Sequence, residues 1–367
     1  YIIHTIIMNR FTKLLTPLCF AAVLASCSKS TDAPIVQVPV SDGNTMTLQG
    51  LIGSEDGGSA GNSVFVDFSA DKQTSAARAS WDLGFYSGAD FRVIINHSIG
   101  ATAIALDKSD LNQVTIADTI ALVSSGKLAL GQGDGAFTAI DPVQGSFAAY
   151  LSGTVIKAIS ATDADNKVYI VNRGKSGTTE NRGWEKIRVI RSGNGYTLQY
   201  AKINETSFKS LTVVKDGTFN FKYVSFIKGL VDVEPAKDSW DIEWGLSTYK
   251  ASATIPYTFS DFVLINFAAG VQASQQVFSG TEANTTVTYA NFKESDLSKV
   301  IFSGDRDVIA GNWRITSGTP VGVKADRFYV VKDPVGNVYK LKFVSFHPND
   351  SGVRGKPVIE YKLVKKA

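Results

Sequence analysis

Few side chains in this chain of 367 residues are suited to metal ligation or covalent catalysis: three histidines, two cysteines and two methionines. His4, Met8 and Cys19 fall in an N-terminal stretch that reads as a leader, which leaves Cys27, Met46, His97 and His347. That set leaves almost no room for a Cys/His zinc site, which takes four such ligands. A hydrolase triad would need one of the two remaining histidines beside a nucleophile, and neither has one near it in sequence. Gly57-Gly58-Ser59-Ala60-Gly61 satisfies the G-x-S-x-G pattern. It sits in a Gly/Ser-rich stretch without the strand before and helix after that a nucleophile elbow requires. Asp163-Ala164-Asp165-Asn166 lacks the third acid, the glycine and the closing Glu of a calcium loop, and is expected to be a turn. Gly131 to Gly135 has no βαβ unit around it to make a dinucleotide site. Asp82 and Asp241 each follow a tryptophan and are expected to hold backbone N–H groups in equivalent places rather than share one site. No catalytic residue is assigned, and the chain is not expected to be an enzyme.

Composition narrows the class further. Hydrophobic residues make up 44% and charged residues 19%, enough for a packed core. The net charge is only +3 and no Lys/Arg block stands out, so no nucleic-acid partner is expected. Residues 1–26 read as a lipoprotein signal peptide whose natural start is Met8. Arg10 and Lys13 precede an apolar stretch, Leu14 to Ala25, of signal-peptide length. The stretch ends in Leu24-Ala25-Ser26-Cys27, which resembles a lipobox, so Cys27 is the expected lipidation site. Acyl chains there would tie the protein to a membrane. Residues 27–50, with Pro34 and Pro39, are expected to form an extended tether that includes Met46. The body beyond has no free thiol and must rest on its core rather than on disulfides.

The elements that would position any site come from an internal repeat. Ser80-Trp81-Asp82-Leu83 recurs as Ser239-Trp240-Asp241-Ile242, and Val168-Tyr169-Ile170-Val171 as Phe328-Tyr329-Val330-Val331. Gln199-Tyr200-Ala201-Lys202 has its counterpart in Glu360-Tyr361-Lys362-Leu363, all three at an offset near 160 residues. Two tandem β domains are expected, residues 51–210 and 211–367. Period-2 patterning predicts strands over Val64 to Phe68, Phe91 to Asn96, Lys167 to Val171, Glu185 to Ile190, Tyr196 to Tyr200, Lys340 to Phe346 and Val358 to Val364. Ser192-Gly193-Asn194-Gly195 predicts a tight hairpin. Helical windows are short, Thr115 to Ser124 and Asn291 to Lys299. The fold class is all-β, mostly antiparallel sheets with a few short helices. In the Phe91 strand, residues 91, 93, 95 and 97 would share a face, which places His97 at the end of an apolar stripe.

Trp81-Asp82-Leu83-Gly84-Phe85-Tyr86, Asp90 to Asn96, Ala161 to Asn172, Trp184 to Val189 and Gly195 to Ala201 together resemble the HmuY family of bacterial envelope lipoproteins. Phe302 to Arg314 resembles the same family in the second copy. The resemblance implies a lipid-anchored, all-β protein of the Gram-negative outer membrane. It would capture haem or a related tetrapyrrole for iron acquisition and pass it to an outer-membrane receptor, holding the iron by histidine or methionine side chains. On that basis His97 and His347 are the haem-ligand candidates. The sequence departs from the pattern in offering one histidine per copy, so bis-histidine ligation within one domain is not available. The alternative is a surface lipoprotein, adhesive or glycan-binding, that has lost haem ligation. The sequence leaves open whether the body faces periplasm or exterior.

Overall fold

The computed structural model describes residues 39–131, 134–175 and 181–367. The leader, Cys27 and the tether up to residue 38 lie outside the described residues. In chain order the strands are β1 Gly43–Thr47, β2 Asn62–Asp67, β3 Lys72–Ala77, β4 Leu83–Tyr86, β5 Val93–Ile95 and β6 Thr102–Ala105. Two α-helices among the described residues follow, α1 Ile116–Ser125 and α2 Phe147–Gly153. Next come β7 Tyr169–Asn172, β8 Trp184–Ser192, β9 Gly195–Lys202, β10 Lys209–Val214, β11 Phe221–Ser225 and β12 Gly229–Val231. The chain closes with β13 Ile242–Lys250, β14 Pro256–Ile265, β15 Gln272–Val277, β16 Arg314–Ile315, β17 Gly322–Val323, β18 Arg327–Lys332, β19 Val338–Ser345 and β20 Val358–Lys365.

Local chemistry explains the ends of these elements. Gly193 at φ +54° opens the two-residue turn between β8 and β9, where Ser192 pairs with Gly195. A capping box of Thr115 and Asp118 starts α1, and Gly126 in the left-handed region ends it. Ser146 caps α2, a helix that sequence periodicity did not predict because it spans only two turns. The helix expected over Asn291 to Lys299 is instead a 3-10 stretch, Glu294–Lys299.

Every ladder among the described residues is antiparallel. One five-stranded sheet has the order β10-β9-β8-β7-β6 and another β1-β20-β19-β18-β15. Two four-stranded sheets have the orders β12-β11-β4-β5 and β14-β13-β2-β3. The expected division at 210/211 does not follow this pairing. It cuts through β10, which pairs with β9, while β11 pairs with β4. At the other end β1 pairs with β20 and β2 with β13, so residues 43–67 complete sheets of the C-terminal half. In the second half, β1, β2 and β3 occupy the sheet positions held in the first by β10, β11 and β12. Residues 40–367 accordingly form one unit. The tether assignment also stops too late: Met46 is 8% exposed and belongs to the core with Leu48 and Trp244. In β1, Met46 is the single buried residue among polar neighbours, too weak a pattern to announce a strand.

Two cores lie inside the sheet pairs, one around Leu83, Val93 and Ile95 and the other around Val64, Ile242 and Val263. The alternate residues of the four-stranded sheets, Phe65, Ile94, Phe221 and Tyr223, enter a third cluster with Trp81, Trp240 and Tyr150. These sheets are therefore buried on both faces, which accounts for the unbroken apolar runs Val93-Ile94-Ile95 and Val64-Phe65-Val66. The third cluster is a seam between strands of the two halves, and the polar residues of interest meet there.

Candidate functional site

The repeat landmarks build matching frames on either side of the seam. Asn96 closes β5, donating from its side-chain amide to the carbonyls of Arg78 and Trp81 at 2.8 and 2.9 Å. Asn266 closes β14 with the same bonds to Lys237 and Trp240. Asp82 accepts from the Phe226 N–H and Asp241 from the Phe68 N–H, each at 2.8 Å. Here the frames part. Asp82 is also held by Arg173 at 2.9 and 3.1 Å and by Arg182 at 2.7 Å. Asp241 has no ion pair among the described residues, and burial pushes its carboxyl up to about 8.

His97 lies beyond the last residue of β5, in a 3-10 turn His97–Ile99 capped by Asn96. The strand alternation ends at Ile95, so the ring leaves the Val93/Ile95 face and enters the seam. Its Nδ1 lies 3.3 Å from Ser247 Oγ, its Nε2 3.8 Å from Glu243 Oε2, and its ring meets Trp81 edge-on at 6.0 Å. Burial, with the charge of Arg306 adding to it, holds the imidazole well below its usual range. Burial raises Glu243 and pushes Glu234 up to about 8. With the imidazole held neutral, the His97–Glu243 contact is a long polar contact rather than an ion pair. Phe267, the counterpart of His97, faces the same seam and packs on Phe147 and Tyr150.

The seam encloses a cavity of about 50 Å³ lined by His97, Glu234, Glu243, Trp240, Tyr150 and Arg306 among others. Ligand pockets for small organic molecules run to about 300–1,000 Å³, so a tetrapyrrole does not fit beside His97. His347 caps the 3-10 turn Pro348–Asp350, its Nδ1 accepting from the Asn349 N–H at 3.3 Å. It lines none of the cavities described here. None of these cavities is lined by both histidines.

Two larger spaces are open. A groove of about 640 Å³ runs along the ends of β8, β9 and β10. Tyr200 and Phe226 form its floor, stacked at 5.4 Å with an interplanar angle of 28°. Arg173, Arg182, Lys202 and Lys209 line it against the two carboxylates Glu185 and Glu205. A wider groove of about 870 Å³ is lined by Tyr257, Phe259, Asn172, Asp134, Lys175 and Arg354 among others. Tyr257 and Phe259 project from one face of β14, two residues apart. Sequence reasoning missed Glu234, Glu243 and Arg306 as a group, as well as both grooves. Arg306 stood within a stretch that carried the family resemblance, but nothing local marks it as buried.

The fold is thus built of antiparallel sheets packed over two cores, with two open grooves beside them. The family model described as HmuY protein matches residues 59–361, and the chain belongs to that family. It is a family of binding proteins. No curated protein matches the chain. Among solved structures it is similar to apo PinO from Porphyromonas gingivitis, at 15% identity, covering 52% of this chain and 100% of that one. The TM-score is 0.15.

Proposed function

We propose that this chain is a non-enzymatic carrier of haem or a related tetrapyrrole, bound in the groove above Tyr200 and Phe226 rather than at either histidine. The observation that carries this reading is the groove itself. It combines a size within the range of small-molecule sites, an aromatic floor, and the cations Lys202 and Lys209 beside Arg173 and Arg182, which already hold Asp82. Such a lining suits a ligand with a large apolar surface and carboxylate substituents. Among the residues there, Tyr200 has the side chain with precedent as a haem-iron ligand. Family membership supports the ligand class. The lipobox-like end at Cys27 supports anchoring in the outer membrane and transfer to a receptor there.

The test is an absorbance titration of residues 28–367 with haemin, in the wild type and in Tyr200→Phe, Lys209→Glu and His347→Ala. Expected is a saturable Soret shift that Tyr200→Phe abolishes, Lys209→Glu weakens and His347→Ala leaves intact. A shift indifferent to both groove substitutions would refute the placement, and no shift at all would refute the haem reading. In the second case the wider groove, with its aromatic pair and polar rim, supports glycan binding, and a glycan array on wild type and Tyr257→Ala decides that reading.

A further inference from the structure

Arg306 is the odd member of the seam. It is 4% exposed and makes no ion pair among the described residues. Its Nη1 donates to the Pro142 carbonyl at 3.1 Å, and the guanidinium lies 4.7 Å from the Tyr150 ring centroid and 5.4 Å from that of Phe267. Its Nε has no partner. Trp240, 7% exposed, also leaves its indole Nε1 without a partner. Both residues line the same cavity of about 50 Å³. A guanidinium cannot shed its charge as a buried lysine does, and an unpaired buried charge is costly. The structure therefore has two unpartnered buried donors and one cation on residues lining a cavity with room for one or two water-sized species.

We propose that the seam cavity binds a small monovalent anion of the halide class, chloride in particular, between the Arg306 and Trp240 N–H groups. Burial favours the neutral form of each acid around it. Glu234 takes up its proton at about 8 and Glu243 is raised in the same direction, both through burial. Asp141, which lines an adjoining small cavity with Arg306, is pushed up to about 6. His97 is held neutral, and Tyr150 and Tyr223, both raised by burial, remain phenols. Each carboxyl that gains a proton removes a competitor for Arg306, so binding tightens as pH falls from about 8 to about 6. Because Phe65, Trp240 and Glu243 come from one half and Trp81, His97 and Tyr223 from the other, the anion would also tie the halves together.

Thermal unfolding in sodium chloride and in sodium gluconate at equal ionic strength, at pH 6 and pH 8, tests this. The expected result is a chloride-specific rise in Tm that saturates and is larger at pH 6. Trp240→Phe keeps the ring and deletes the donor, so apparent chloride affinity should fall about tenfold, the worth of one hydrogen bond in a dry site. Bromide soaked into crystals of the wild type should give an anomalous peak within reach of Arg306 Nε and Trp240 Nε1, independently of how the variant folds. Equal effects of chloride and gluconate, or a cavity holding water and no anomalous peak, would overturn the proposal.

Discussion

Asp82 and Asp241 hold the same backbone position in two frames, yet the same substitution should act on them with opposite sign. Asp241 is 4% exposed and its carboxyl is raised from 3.8 to about 8, mainly by burial, with the charges of Asp67 and Asp333 adding to it. An acid whose folded value is raised takes up a proton on folding. Its stability contribution is greatest below the unfolded value and declines as pH rises, until the folded carboxyl also ionises near 8. Four units at about 1.4 kcal/mol each set a ceiling of about 5–6 kcal/mol. Water entry and local relaxation reduce this, and about 2–3 kcal/mol is the expected yield. Asp241→Asn keeps an oxygen acceptor for the Phe68 N–H and removes the charge. Denaturant unfolding of wild type and variant should give nearly equal stabilities at pH 4, with the variant ahead by about 2–3 kcal/mol at pH 9. Comparing the two proteins at each pH cancels the other titrating groups. Asp82→Asn at pH 7 should instead cost about 3–5 kcal/mol, because it leaves Arg173 and Arg182 buried without their shared carboxylate. A stability difference for Asp241→Asn that is flat with pH would show that the carboxylate stays ionised in the fold, and the reasoning would fail.

Two further outcomes follow from the strand pairing and the backbone. A fragment of residues 211–367 lacks β1 beside β20 and β2 beside β13, and circular dichroism should find it unfolded or aggregated. Fusing residues 40–77 after residue 367 through a flexible linker should restore a cooperative transition; a cooperatively folded 211–367 fragment would contradict the pairing. Gly174→Ala should lower stability by about 2–4 kcal/mol in chemical denaturation. Gly174 has φ +73°, and a Cβ there would clash with the Ile99 carbonyl oxygen. A neutral result would mean that this loop yields at little cost.

Several features were legible in the sequence because they are written locally. Strand patterns at Val64 to Phe68, Glu185 to Ile190 and Tyr196 to Tyr200 became β2, β8 and β9, since side-chain alternation depends only on neighbours along the chain. The hairpin at Gly193 needed only a residue that tolerates positive φ. The family was legible because its landmarks Trp81-Asp82, Asn96 and Tyr169 do demanding local work at strand ends and in the core.

Only the tertiary structure decided which strands meet. β1 carries one buried residue in five, and its place beside β20 is set by the open edge left some 300 residues later, which no local pattern records. The same holds for the sites. His97 looked like the end of an apolar stripe, but Asn96 ends the strand and turns the ring into the seam against Ser247 and Glu243. Nothing in the neighbouring sequence marks Glu234, Glu243 or Arg306 as buried. They became a cluster because two sheets, each already covering a core on one face, were packed together on the other. Burial belongs to the assembled chain, and so does the chemistry it imposes.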